Sequence, residues 1–154
     1  MKRLFVPLAA CLLSFAAHAQ EAEDPFADVV EMRHGLMLQL ATDISKLGTM
    51  AKGDTPYDAA TATRAAANVA AIASVISMDQ FPAGSEVGKA ADSFALPAIW
   101  ANPDDFMAKI TALNTAAAAM VSASGTDLAG LQGGMAALGG ACSACHKDYR
   151  QPEE

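Results

Sequence analysis

Hydrophobic and polar positions along the chain fall into helical periods, and no stretch sustains the alternation of a strand, so the pattern predicts an all-α protein. Val29, Leu36, Leu40, Ile44 and Leu47 recur at helical spacing, with Met37 and Met50 on or beside the stripe. They predict a first helix from about Pro25 to about Met50, with Asp24 as N-cap, Pro25 at the first helical position and Gly53 as the stop. Thr55-Pro56 repeats that start signal for a second helix. Its Ala59, Ala62, Ala65, Val69 and Ile72 are mostly small enough for a neighbouring helix to approach closely. Asn102-Pro103 opens a third helix through Phe106, Ile110, Leu113, Ala117 and Val121, ended by Ser124-Gly125. Thr126 then caps a fourth, from about Asp127 to about Arg150, carrying Leu128, Leu131, Met135 and Leu138. Between the second and third lies one long irregular stretch, Met78 to Asn102. Loops of that length in compact domains usually have a job, such as covering a cofactor. Four amphipathic helices with two short connections and one long one predict an antiparallel four-helix bundle.

The N-terminus is patterned differently. Lys2 and Arg3 precede an apolar run from Leu4 to Ala16, and Ala17-His18-Ala19 has the small-x-small form of a cleavage site. Residues 1–19 therefore read as a secretory signal peptide, cleaved after Ala19, and 20–154 as one domain of the mature chain. The run is too short to span a bilayer comfortably, so no membrane insertion of the mature chain is expected. Loss of Lys2 and Arg3 takes the formal net charge from −7 to −9. Such an acidic chain argues against nucleic acid and anionic membranes as partners and is compatible with a basic redox partner protein.

Cleavage also removes Cys11 and His18, leaving Cys142 and Cys145 as the thiols, inside Cys142-Ser143-Ala144-Cys145-His146. A Cys-x-x-Cys can be a redox pair or half of a zinc site. The first belongs in a βαβ pattern that is lacking here, and zinc would want four ligands where His34 is the only further His. Cys-x-x-Cys-His is also the attachment sequence of haem c, with each sulfur joined to a porphyrin vinyl group and the imidazole on the iron. On a helix the two cysteines share a face, so both sulfurs reach one porphyrin edge. Haem c is attached outside the cytoplasm, which agrees with an export signal. No Ser-His-Asp set and no Gly-rich phosphate loop appears, so the chain is not expected to be an enzyme.

His146 would fill one axial position of the iron, leaving the other to a side chain on a different helix. Arg33 and Met37 are four apart on the first helix, and Leu40 and Ile44 continue their face. A Met37 thioether could reach the iron and Arg33 a haem propionate. Met32, Met50, Met107, Met120 and Met135 compete by residue type, as does His34, which lies about 100 degrees round the helix from Arg33 and so faces the rim.

Arg33-His34-Gly35-Leu36-Met37, Lys52 to Asp58, Phe81 to Glu86, Pro97 to Trp100 and Cys142 to Arg150 together resemble the class II c-type cytochromes, the cytochrome c′ family, over essentially the whole mature chain. The resemblance implies one covalent haem c in a four-helix bundle. The family divides at the residue four after the arginine. A bulky apolar residue there goes with a five-coordinate iron that binds NO or CO, and a methionine with a low-spin, six-coordinate iron. Met37 puts this chain with the low-spin branch. It implies a periplasmic carrier of single electrons with His146 and Met37 as axial ligands; the alternative is an open iron taking NO or CO. The resemblance further implies haem contacts from Arg33, from Ser85 and Glu86 at the haem edge, and from Arg150 beside the proximal histidine. Where the family often has glutamine, this chain has His34. Homodimers through the first two helices are frequent in the family, and the alanine-rich second helix permits one here.

Overall fold

The computed structural model describes residues 24–152, and the predicted signal segment lies outside them. Four long helices form the body: α1 Ala27–Lys52, α2 Ala59–Val75, α4 Pro103–Ser124 and α5 Leu128–Tyr149, with a one-turn helix α3 Ala98–Ala101 in the long connection. α1 packs on α2, α2 on α4, α4 on α5, and α5 closes back on α1. This is the four-helix bundle that the hydrophobic pattern predicts.

The helix starts differ in detail from the expectation, and at α2 and α5 an aspartate further along the chain makes the capping bond. Asp58, not Thr55, caps α2 by accepting the Thr61 N–H at 2.7 Å. Asp127, not Thr126, caps α5 by accepting the Gly130 N–H at 2.7 Å. Thr55 instead donates to Thr49 Oγ1, and Thr126 to the Ser122 carbonyl. Asp24 is not the N-cap of α1, which is Phe26. Its carboxylate accepts the N–H groups of Phe26 and Ala91, at 2.8 and 2.6 Å, and so ties the start of α1 to the long loop. Asn102 and Pro103 open α4 as expected, and Gly53 stops α1 in the left-handed conformation at φ 83.

The core runs along the bundle axis: Leu40 and Leu47 from α1, Val69 and four alanines from α2, Phe106 and Met120 from α4, Leu131 and Leu138 from α5. Alanine buries little area itself. Its gain is the close approach it allows to larger side chains opposite. One buried residue breaks the apolar rule. Asp43, fully buried, occupies a stripe position between Leu40 and Leu47 and accepts hydrogen bonds from Gln39 at 2.7 Å and Lys46 at 2.8 Å. Burial pushes its carboxyl pKa up, but bonds from Lys46, Gln39 and Asn68 outweigh that and hold it below the ordinary range.

The long connection is built rather than loose. Ser77 and Gln80 form a reciprocal capping box over a 3-10 turn, and the Trp100 indole donates to the Phe81 carbonyl at 3.0 Å. Its second half is fastened to the end of α5. Leu96 N–H donates to the Tyr149 carbonyl and Gln151 N–H to the Phe94 carbonyl, at 3.0 and 2.8 Å.

Candidate functional site

Two contacts fix how α1 lies against α5. Gln132 donates to the Ala51 carbonyl at 2.8 Å, and a Cβ on Gly48 would sit 3.7 Å from the Met135 methyl carbon. Moving three residues back on α1 moves three forward on α5, so the pair is antiparallel with a defined register. Both helices rise at the same rate. About 21 Å from Ala51 along α1 is Met37, and the same distance on from Gln132 along α5 is His146. The register thus sets Met37 level with His146, and Arg33, one turn earlier, level with Arg150. A separate contact supports it. The Phe94 ring bridges the two helices at this level, with the His34 ring centroid 5.8 Å away and the Arg150 guanidinium carbon 5.7 Å away.

Cys142 and Cys145 are free and half-buried, one helical turn apart on α5. Cys145 packs against the edge of the core, as does Met37 from α1. Burial pushes both thiol pKa values up, that of Cys145 to about 11, so the thiols are neutral. More than a third of His146 is exposed, yet desolvation of its ring, with the Arg150 charge second, lowers its pKa and favours the neutral imidazole that ligates metals.

Arg33 is the buried cation of the site, 6% exposed. It donates to Ser85 Oγ at 3.0 Å, to the Ser85 carbonyl at 3.1 Å and to Ser93 Oγ at 3.2 Å, and its guanidinium carbon lies 5.0 Å from the centre of the Phe81 ring. Ser93 in turn donates to the Ser85 carbonyl at 2.7 Å. Among the described residues no carboxylate pairs with Arg33, and burial alone lowers its pKa. A buried cation held only by neutral groups is costly unless an anion completes it. A haem fits these residues: two neutral thiols and an imidazole on one helix end, a thioether level with the imidazole, and a cation lacking an anion one turn away.

Of the residues singled out in the sequence, Arg33 and Ser85 are in direct contact. Arg150 reaches the same level and donates its N–H to the His146 carbonyl at 3.1 Å. His34 is exposed, on the rim as its phase predicts. Glu86 neighbours Ser85, but its carboxylate is engaged within the loop by the Gly84 N–H and the Lys89 ammonium. Ser93 and Phe94 carry no sequence signal as site residues, and Phe81 none beyond its place in the Phe81 to Glu86 motif, because nothing in a loop's sequence tells which serine or phenylalanine will meet a distant arginine. Tyr149 has a structural part that its place in the Cys142 to Arg150 motif does not reveal. Its hydroxyl donates to Asp105 at 2.6 Å, and its ring packs edge-on to Phe106, which packs likewise on Phe81.

Known proteins resemble the chain in sequence and in fold. The family description "Cytochrome C′" matches residues 28–150. The chain is 54% identical over 142 residues to cytochrome c-554 of Cereibacter sphaeroides, covering 92% of each. It is 40% identical over 140 residues to cytochrome c-556 of Agrobacterium fabrum, covering 91% of this chain and 88% of that protein. The solved cytochrome c′ from Rhodobacter spheriodes superposes with a TM-score of 0.80 at 33% identity, over 83% of this chain and 98% of that one.

Proposed function

Because this chain belongs to the cytochrome c′ family, whose homologues carry covalently attached haem c, we propose that it is a periplasmic single-electron carrier with His146 and Met37 as axial ligands. The observation that supports the reading is the α1–α5 register, in which Met37 and His146 fall at the same level of the two helices. When bound, haem c supplies a one-electron iron couple, and thioether ligation raises its potential relative to two imidazoles.

The chain's own residues supply the rest. Cys142 and Cys145, three apart on α5, hold the two thioether links on one helix face. Arg33, anchored by Ser85 and Ser93, would present a fixed positive charge to a haem propionate. The loop bolted to Arg33 and to the end of α5 keeps the two ends of the sequence together. Export through residues 1–19, ending at Ala19, accords with family members being periplasmic c-type cytochromes.

A ligand-displaceable centre that takes NO or CO is the competing reading. Its support is that Met37 is only half-buried at the core edge, so packing alone does not lock it. One experiment separates the two. The parent protein is expected to be low-spin in both redox states and to form no CO complex at neutral pH, and Met37→Ala to bind CO. A parent with a high-spin ferric spectrum, or one that takes up CO rapidly when reduced, would overturn the carrier reading.

A further inference from the structure

Phe94 is 43% exposed, yet it is held. The His34 ring lies against it from α1, the Arg150 guanidinium from the end of α5, and its carbonyl accepts the Gln151 N–H. These three contacts hold the exposed ring in one place. It sits at the level of Arg33 and Arg150, one turn from Met37 and His146, and one residue from Ser93.

Beside it is a depression of about 280 Å³, lined by Ala27, Val30, Glu31, His34, Ala91 and Asp92. Glu31 and Asp92 are both exposed. The loop wall of the depression is fixed to α1 by the Asp24 carboxylate, which accepts the Ala91 N–H at 2.6 Å. Asp92 stands in the left-handed region at φ 56. Asp28 precedes Glu31 by one turn and extends the negative rim along α1.

On the electron-carrier reading, we infer that this face is where a lysine-rich redox partner docks, its apolar contact on Phe94 and a lysine ammonium in the depression between Glu31 and Asp92. The chemistry is complementary on both counts. An apolar ring beside a negative rim suits a transient complex with a basic partner, in which the rim raises the encounter rate and the ring sets contact. The chain's net charge of −7 favours a basic partner in general, and this face adds the place.

The test uses the haem-loaded protein and a basic, lysine-rich cytochrome c as the probe, with electron exchange followed by stopped flow at low ionic strength. Glu31→Lys is expected to lower the second-order rate about tenfold, with the difference shrinking as salt is added. Asp54→Lys makes the same charge change at the far end of the bundle and is expected to lower it less than about twofold. Phe94→Ala is expected to slow exchange by a factor that salt does not remove. Equal slowing by Glu31→Lys and Asp54→Lys, or an unchanged rate in Phe94→Ala, overturns the docking face. Neutral duroquinol as electron donor distinguishes the deeper failure. A parent protein that exchanges electrons with neither reagent overturns the carrier reading itself. One that accepts them from duroquinol but exchanges none with the basic cytochrome overturns the docking face alone.

Discussion

Arg33 shows how much one side chain can carry. Its position on the helix-one stripe follows from the sequence, but a buried guanidinium with three neutral acceptors and an aromatic ring beneath it is a tertiary fact. Arg33→Gln keeps some hydrogen bonding and removes the charge. The expected result is a fall in reduction potential of roughly tens of millivolts, since a lost positive charge favours the ferric form. Redox titration of the purified variant checks it, and an unchanged potential would place the charge too far from the iron to matter. The same substitution weakens the grip on Ser85 and Ser93, so the loop should also become easier to cleave by protease.

At the scale of an element, α5 is glycine-rich, and its glycines do unlike things. Gly130 lies where α5 starts against the end of α4, and a Cβ there would come 2.6 Å from the Ala123 carbonyl oxygen, a backbone atom that cannot swing aside. Gly133, three residues on, has nothing within 4 Å of that position. Gly130→Ala is therefore expected to destabilise the protein by about 1–3 kcal/mol through overpacking. Gly133→Ala should stabilise it by roughly 0.5–1 kcal/mol through helix propensity. Denaturant unfolding of the two variants beside the parent decides the matter, and shifts of the same sign would refute the close approach of α4 and α5. Helix propensity alone would rank the two substitutions alike.

For the whole molecule, the charged groups set a pH window. Asp43, Asp24, Asp58 and Glu86 all have carboxyl pKa values held below the ordinary range in the folded state. Burial opposes the shift only at Asp43 as the leading effect. At the others, hydrogen bonds from Phe26 and Ala91, from Thr61 and from Lys89 come first. A depressed folded pKa contributes stability above the unfolded value, lost as pH falls through the folded one, so the bundle should weaken progressively below about pH 4. Tyr149 acts with the opposite sign. Its hydrogen bond to Asp105, with burial second, pushes its pKa up to about 12, so its contribution is complete below pH 10 and is lost between 10 and about 12. Thermal unfolding against pH is expected to show both limbs, with Asp43→Asn flattening the acid one and Tyr149→Phe the alkaline one. An acid limb unaltered in Asp43→Asn would assign it to other groups.

Residue order alone determined the four long helices and the covalent attachment sequence. Each of these is written in local spacing, as periodic apolar positions, proline and glycine punctuation, or cysteines three apart. The helix caps were legible only in part: α2 and α5 start at Asp58 and Asp127, three residues and one residue beyond Thr55 and Thr126, where a carboxylate accepts the N–H of Thr61 and of Gly130. Asp43 was silent for another reason: its stripe position reads as a solvated edge until Gln39, Lys46 and Asn68 close over it. Only the tertiary structure decided which loop serines meet Arg33, that Phe94 joins His34 to Arg150, and that α1 and α5 run in the register that levels Met37 with His146. Those contacts link residues tens of positions apart, and no local pattern encodes how the packed helices slide past one another.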